Sequence, residues 1–154
     1  MIVIGIRRKH MQLKITSDYA VRCVLYLAMH AGSANAESIG KSMGITPNYA
    51  QRILQRLKSD GIVYSIQGNG GGYVLAKRPE EIRMMDLLKT QEQTLRINRC
   101  LEDDGYCSRN GVEKNCPIHD YYQKLQDMMD DYLMNTTISD LLHQRVTDHI
   151  EKVI

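Results

Sequence analysis

The sequence lacks the features that would place the chain in a membrane or in a repeat architecture. No apolar run approaches the roughly 20 residues that a helix needs to cross a bilayer. The apolar opening segment, residues 1–6, is shorter than a signal-peptide core, and the basic residues 7–9 follow it instead of preceding it. The sequence contains no visible internal repeat, so it does not indicate a solenoid fold. We therefore expect a cytoplasmic protein.

A complete nucleotide-binding motif is also lacking. A G-x-G-x-x-G pattern that starts at Gly68 would end in a glycine where Tyr73 stands, and no helix is predicted to begin there. The Gly-Lys-Ser tripeptide at 40–42 would complete a P-loop only if position 35 were glycine, and that residue is Asn35. A nucleotide site is therefore not expected.

The composition is that of an ordinary globular protein. Of the 154 residues, 43% are apolar and 25% are charged, which excludes the disordered and collagen-like classes. This length accommodates one domain, or one small domain with an accessory arm. The four cysteines of a cytoplasmic chain do not indicate a disulfide framework.

Charge is unevenly distributed along the chain. Residues 1–83 contain 12 Lys and Arg against 5 Asp and Glu, whereas residues 84–154 contain 8 against 13, so net charges of +7 and −5 sum to the overall +2. A basic N-terminal half suits a polyanionic partner, although an ordinary solvated surface carries a charge of this size about as often. Charge alone therefore does not distinguish a polyanion-binding surface from an ordinary solvated one, and the distinction depends on the sequence pattern.

Three helices are predicted in the first 61 residues. Apolar residues recur at near-helical spacing over 16–31, over about 36–43 and again after position 47. Capping and terminating residue types stand at the ends of these segments. They are Thr16 or Ser17 for the first helix, Asn35 and Gly44 for the second, and Thr46, Pro47 and Gly61 for the third.

The third helix has two distinct faces. Its apolar face follows the i, i+3, i+4, i+7 rule and consists of Ala50, Ile53, Leu54 and Leu57. The opposite face carries amides and guanidinium groups, which are the side chains that contact base edges and phosphates in a major groove. It consists of Asn48, Gln51, Arg52, Gln55, Arg56 and Ser59. A short helix, a turn with glycine and such a second helix indicate a helix-turn-helix.

A β-hairpin is predicted directly after this unit. Residues 62–66 and 73–75 are rich in strand-forming types, and the glycine-rich segment 67–72 separates them. A hairpin that follows a helix-turn-helix is a wing. We therefore expect a mainly α fold with a small β-hairpin, that is, a winged helix-turn-helix domain.

The C-terminal half is predicted to contain three further helices and a long loop. Helices are expected over 79 to about 91, 118–135, and Thr137 to about Gln144, the last with Asp140 completing a capping box. Residues 99–115 are polar and rich in Gly and Asn, so they are predicted to form a loop. The apolar positions of the long helix are Ile118, Tyr121, Tyr122, Leu125, Met128, Met129, Tyr132 and Leu133.

Three of the four cysteines fall in or beside this loop. Cys100, Cys107, Cys116 and His119 have the spacing C-x6-C-x8-C-x2-H and form a complete set of four soft ligands. The wide gaps suit an iron-sulfur cluster better than zinc. Redox thiols that form a regulatory disulfide, or a vestigial site, are the alternatives. Cys23 lies in an apolar helix and is expected to be a small buried hydrophobe.

An enzymatic function has little support. Cys116 and His119 could contact each other at the start of a helix, but the sequence indicates no third catalytic group and no substrate pocket. We therefore do not expect an enzyme.

Four separate segments resemble the Rrf-type family of bacterial winged-helix regulators, which includes IscR, NsrR and CymR. They are Thr16–Arg22, Ile45–Tyr49, Gly68–Tyr73 and Thr137–Leu141, and they occur in the family's order. The resemblance covers Met11 to about Leu142. Residues 1–10 precede the family's usual start, so Met11 is an alternative initiator, and Gln67 stands where the family's wing usually has arginine.

The resemblance implies a homodimer that binds double-stranded DNA at a palindromic operator. The DNA contacts would come from the third helix and the wing, at Thr46, Asn48, Tyr49, Gln51, Arg52, Gln55, Arg56, Gln67 and Asn69. The long helix would form the dimer interface through Tyr121, Tyr122, Leu125, Met128, Met129 and Tyr132.

The resemblance also implies a sensor. In sensor members three loop cysteines hold an iron-sulfur cluster, and they match Cys100, Cys107 and Cys116, while His119 matches the histidine that completes the set in IscR-like members. A [2Fe–2S] or a [4Fe–4S] cluster is the expected cofactor. The gaps between the cysteines are wider here than is usual in the family.

The sequence thus predicts a DNA-binding transcriptional regulator, expected to be a repressor, that is controlled by a cluster or by the redox state of this loop. The alternatives are a cluster-free member that senses through thiols or a partner protein, and a protein-interaction module. The expected organisation is an N-terminal extension, a winged helix-turn-helix domain, and a sensor and dimerisation region. These cover residues 1–10, 11–83 and 84–154, with the cluster loop at 99–119 and the long helix at 118–135.

Overall fold

The computed structural model describes residues 12–109 and 116–143. The predicted N-terminal extension with Met11, part of the predicted loop, and the end of the last predicted helix at Gln144 lie outside these described residues.

The first helix, α1, spans Ile15–Met29, close to the predicted 16–31. Its predicted cap is wrong, because the helix begins after Lys14 and has no side-chain cap of its own. Instead, the carboxylate of Glu92 accepts hydrogen bonds from the Lys14 N–H, at 2.8 Å, and from the hydroxyl of the fully buried Ser17. A residue far along the chain therefore satisfies the start of α1.

The helix-turn-helix forms as predicted. The second helix, α2, spans Ala36–Met43, and the Asn35 side chain accepts a hydrogen bond from the Ser38 N–H at 2.8 Å. Gly44 ends α2 in the left-handed conformation, with φ at 68°. The third helix, α3, spans Pro47–Ser59; Thr46 is at its N-cap position but makes no side-chain cap.

The predicted wing is a two-stranded antiparallel hairpin. Strands β1, Val63–Ile66, and β2, Gly72–Leu75, pair with Val63 opposite Leu75. The backbone of Tyr73 also exchanges two hydrogen bonds with Ala34, at 2.8 and 3.1 Å. Position 72 requires glycine, because an added Cβ would come within 2.6 Å of the Ala34 backbone. The wing is thereby fastened to the segment that precedes α2.

The predicted continuous helix over 79–91 is wrong. Pro79–Glu81 is a 3-10 turn, and a separate helix, α4, spans Met84–Lys89. Between them the Ile82 carbonyl accepts from the Ile138 N–H at 3.0 Å, and the Met84 N–H donates to Thr136 at 2.8 Å. These backbone groups pair with a distant segment and are not available for a helix.

The remaining elements complete the described chain. A 3-10 turn covers Arg99–Leu101, the long helix α5 spans Pro117–Asn135, and the short helix α6 spans Ile138–Leu142. The predicted capping box is confirmed, since Thr137 and Asp140 bond reciprocally at the start of α6. Within the described residues, no helix is long and apolar enough to span a bilayer.

The hydrophobic core joins the winged domain to α6, the last helix of the described residues. Helix α6 packs against α1, and Ile138 is fully buried in the same cluster as Val24, Ile39 and Leu54. Helix α5 packs instead against α4 and the second 3-10 turn. The principal buried side chains are Val24, Ile39, Leu54, Leu57, Val63, Ile82, Leu87 and Ile138.

Candidate nucleic-acid interface

The core positions α3 with its polar face towards solvent. The four apolar residues predicted for its inner face are all buried, with exposures of 3% or less. All nine residues predicted to contact DNA are exposed. They are Thr46, Asn48, Tyr49, Gln51, Arg52, Gln55 and Arg56 on or beside α3, and Gln67 and Asn69 at the wing tip.

Two glutamines of this face are tied to the wing. The Nε2 atoms of Gln51 and Gln55 both donate hydrogen bonds to the hydroxyl of Tyr73, each at 3.0 Å. Tyr73 is 6% exposed and belongs to the core. Sequence reasoning missed this role, because neither the strand propensity at Tyr73 nor the glycine motif that it interrupts indicates where its hydroxyl lies.

Aromatic rings and guanidinium groups alternate at the start of α3. The Arg52 guanidinium lies 5.8 Å from the centroid of the Tyr49 ring, which meets the Tyr19 ring edge-on at 6.1 Å. Arg22 lies 5.6 Å from the Tyr19 centroid and donates to the Met43 carbonyl at 3.1 Å. Helix α1 thus supports the exposed face of α3. The residues of α1 that make these contacts belong to the Thr16–Arg22 segment, which was the sequence signal for this contribution.

The wing is braced at both ends. The Ser33 hydroxyl donates to the Gly70 carbonyl at 2.6 Å, and Lys58 donates to the Ser65 hydroxyl at 2.7 Å. The tip between the strands contains the exposed Gln67 and Asn69. Helix α3 and the hairpin therefore form one connected surface of amide and guanidinium groups.

The predicted metal ligands are half-buried and not assembled. Cys100, Cys107 and Cys116 are free thiols, and His119 is also partly buried. In the described ranges, no group of three or more His, Cys, Asp or Glu is placed to hold a metal ion. The donor types suit an iron-sulfur cluster, but their placement in the structure does not form its ligand set.

A cluster of interactions orders the segment between the first two of these cysteines. Arg99 forms a bidentate ion pair with Asp104, and its guanidinium lies 5.2 Å from the centroid of the Tyr106 ring. The Tyr106 N–H donates to Asp104 at 3.2 Å. The hydrogen bond from Arg99 is the largest of the effects that lower the pKa of the Asp104 carboxyl to about 2. The carboxylate thus holds this turn together.

The apolar residues of α5 divide between two faces. Ile118, Tyr121, Leu125 and Met128 are exposed by 40–64% and follow a 3-4-3 spacing along one side of the helix. Tyr122 and Met129 are half-buried, one turn either side of the fully buried Gln126. The predicted dimer residues therefore include three exposed ones, Tyr121, Leu125 and Met128, and three half-buried ones, Tyr122, Met129 and Tyr132.

A short helix, a turn, a second helix with an amide and guanidinium face, and a hairpin at its end define a winged helix-turn-helix, a class of DNA-binding protein. A family model described as Rrf2, iron-dependent transcriptional regulator, matches residues 13–144. The chain therefore belongs to the Rrf2 family of transcriptional regulators, which confirms the resemblance drawn from its sequence. The family is not enzymatic, as expected.

Relatives of known name agree with this assignment. The chain is 30% identical over 137 residues to the HTH-type transcriptional regulator IscR of Pectobacterium atrosepticum, covering 88% of this chain and 81% of that protein. It is also 30% identical over 141 residues to IscR of Escherichia coli O1:K1, covering 90% and 85%.

Solved structures confirm the fold. A transcriptional regulator from Listeria innocua superposes with a TM-score of 0.73 at 27% identity, covering 86% of each chain. CymR, the global cysteine regulator of B. subtilis, gives a TM-score of 0.67 at 25% identity, covering 84% of this chain and 95% of CymR. IscR of T. potens gives 0.68 at 22% identity, covering 87% and 88%.

Proposed function

We propose that this chain is a homodimer that binds a palindromic DNA operator through α3 and the wing, and that it acts as a repressor. The observation that carries the proposal is the division of α3 into a fully packed apolar face and an exposed face of amides and guanidinium groups. The basic balance of residues 1–83 supplies the matching attraction for phosphates.

Two arginines of α3 are suited to the phosphate backbone or to guanine. Arg52 and Arg56 lie one turn apart on the exposed face. A phosphate contact would strengthen binding to every sequence, whereas a bidentate contact with guanine would act at a single base pair.

Binding to DNA is tested by selecting sites from a random duplex library and measuring affinity as a function of salt. Arg56→Ala should weaken binding to all sequences and lower the salt slope by about 1 if it contacts phosphate, or cost about 1–3 kcal/mol at one base pair if it contacts guanine. Lys124→Ala on α5 removes the same charge outside the proposed interface and should leave both quantities unchanged. Absence of selected sites, or equal behaviour of the two variants, would contradict the proposal.

The wing and the direction of control have separate tests. Gln67→Arg introduces a cation at the hairpin tip and should raise affinity and steepen the salt dependence by up to about one unit. Transcription in vitro from a promoter overlapping a selected site should fall when the protein is added. A rise would identify an activator.

The exposed apolar side of α5 supports the proposed dimer. Tyr121, Leu125 and Met128 place large apolar side chains in solvent along a single row, which is the seam that a second copy of the same helix would cover. A two-fold axis in the protein then matches the two-fold symmetry of a palindromic operator.

We further propose that an iron-sulfur cluster, either [2Fe–2S] or [4Fe–4S], controls operator binding through Cys100, Cys107, Cys116 and His119. Support comes from the donor types and from the family's description as iron-dependent. Because these residues are not assembled in the described structure, binding requires them to come together. The alternative is control by the thiols themselves or by a partner protein, and the three partly exposed free thiols favour the first of these.

Anaerobic purification followed by absorbance spectroscopy and iron, sulfide and zinc analysis separates these possibilities. A brown protein that contains iron and sulfide, bleached by Cys107→Ala but not by Cys23→Ala, would support the cluster. Colourless protein, with stoichiometric zinc or without metal, would contradict it. A change in operator affinity on mild thiol oxidation of such colourless protein would favour the thiol alternative.

A further inference from the structure

We infer that Tyr73 is a positioning residue for base recognition: its hydroxyl holds the Gln51 and Gln55 amides with their carbonyl oxygens available to the DNA. The protein would then prefer an amino base, adenine or cytosine, over a keto base on the strand that these glutamines face. The inference rests on the proposed DNA-binding role of α3 and adds a determinant of sequence preference to it.

The hydroxyl of Tyr73 is at the centre of the arrangement. Its oxygen accepts a hydrogen bond from the amide nitrogen of Gln51 and another from that of Gln55, at 3.0 Å each. The two glutamines lie four residues apart and therefore on the same side of α3. One fixed oxygen atom thus orients two neighbouring side chains.

The Tyr73 hydroxyl has a fixed position because core packing, backbone hydrogen bonds and strand pairing all hold this residue in place. Its ring is 6% exposed and packs in the hydrophobic core. Its backbone N–H donates to Ala34 at 2.8 Å, and its carbonyl accepts from Ala34 at 3.1 Å. The strand pairing of β2 with β1 holds the same residue opposite Ser65. The hydroxyl position is therefore a property of the folded wing.

The orientation of the amides follows from this contact. In a planar amide the oxygen and nitrogen point in divergent directions, so an Nε2 atom directed at the inward hydroxyl leaves Oε1 turned away from it. Both glutamines are otherwise exposed. Their outward groups are consequently hydrogen-bond acceptors, with one remaining N–H on each amide.

Acceptors pointing into a major groove favour particular bases. Adenine N6 and cytosine N4 are donors there, whereas guanine O6 and thymine O4 are acceptors. A glutamine that is free to rotate could present either end of its amide, so it would discriminate less between the two kinds of base. Holding the amide in advance also reduces the rotamer freedom that is lost on binding.

The test compares the sites selected from a random duplex library by the wild type, Tyr73→Phe and Tyr26→Phe. Phenylalanine keeps the packed ring of Tyr73 and removes only the oxygen. Tyr26 is a half-buried tyrosine packed on the same core, outside the proposed interface, so it controls for loss of a hydroxyl. Thermal unfolding is measured for all three proteins.

We expect the wild type and Tyr26→Phe to prefer amino bases by about fivefold or more at two positions per half-site. Tyr73→Phe should lose most of that preference at both positions, with its salt slope on random-sequence DNA unchanged. Gln51→Ala should lose the preference at one position only. In the Tyr73→Phe background, Gln51→Ala should have little further effect, since coupled residues are not additive.

Side-chain amide signals in the NMR spectrum supply a readout without DNA. The Gln51 and Gln55 NH2 groups should be ordered in the free wild type and mobile in Tyr73→Phe, whereas a merely structural tyrosine would leave them unaffected. Unchanged base preferences in Tyr73→Phe, or a wild-type preference for keto bases, would overturn the inference while leaving DNA binding intact. A wild type that binds no duplex would overturn both this inference and the proposed function.

Discussion

The side chain of Gln126, in the middle of α5, holds the backbone of Ile97, 29 residues earlier in the chain. Gln126 is fully buried, and its Oε1 accepts from the Ile97 N–H at 2.9 Å. Its Nε2 donates to the Leu95 carbonyl at 3.2 Å and to Asp130 at 2.7 Å. This amide fixes the segment that leads into Cys100 against the proposed dimerisation helix.

Replacing Gln126 by leucine should destabilise the protein by about 1–3 kcal/mol, because the Ile97 N–H and the Leu95 carbonyl would lose their partner inside the protein. Urea unfolding measures the loss. Gln123→Leu is the matched control, since among the described residues the Gln123 side chain bonds only to Asp127 on its own helix, and that variant should stay within about 0.5 kcal/mol of wild type. Equal losses would show that the Gln126 contacts do not stabilise the fold.

Leu125→Asp should convert the proposed dimer to a monomer that remains folded. Leu125 is 40% exposed in the single chain, so an aspartate there is solvated in the monomer but would be an unpaired buried charge in an apolar seam. Sedimentation and circular dichroism measure assembly and folding. Gln123→Asp places the same residue on the opposite side of α5 from the exposed apolar row and should remain dimeric. A dimeric Leu125→Asp protein would contradict the proposed interface.

Much of the local structure was predictable because its causes are local. The side chain of Asn35, the left-handed Gly44 and the reciprocal capping of Thr137 by Asp140 all act within four residues, and each was found in the structure as expected. The same holds for the alternation of faces on α3, where the spacing of apolar residues determines which side is buried.

The remaining features depend on contacts between distant segments. The sequence around Ser17 does not indicate that its hydroxyl, at the start of α1, donates a hydrogen bond to Glu92, 75 residues away. The break at Ile82 follows from pairing with Ile138, and local helix propensity cannot reveal it. The apolar residues of α5 lie on two faces, one packed against the rest of the chain and one exposed. The sequence could not separate the two faces, because the same types of apolar residue occur on both. The contact of Gln51 with Tyr73 was likewise hidden.

The turn between Cys100 and Cys107 should keep its order well into the acid range. Arg99 and the Tyr106 N–H lower the pKa of Asp104 to about 2, so the contribution of this carboxylate is fully present above its ordinary value near 4. That contribution declines as the pH falls from about 4 to about 2 and is lost below the folded-state pKa. Carbon-detected NMR titration of Asp104 measures this directly. In Arg99→Gln its pKa should rise towards the ordinary value, and an unchanged pKa would show that the ion pair does not form.

The four cysteines should differ sharply in reactivity. Burial raises the pKa of the Cys23 thiol to about 12, whereas the thiols of Cys100, Cys107 and Cys116 are partly exposed. Because the thiolate is the reactive form, ionisation alone should slow alkylation of Cys23 about a thousandfold near pH 8.5 relative to an ordinary thiol. Mass spectrometry of chelator-treated protein after brief alkylation should find three modified cysteines, and four after unfolding in urea. The raised pKa also means that the contribution of this thiol to stability is complete below about pH 9 and declines as the pH rises towards 12. Rapid modification of Cys23 in the folded protein would contradict its burial in the hydrophobic core.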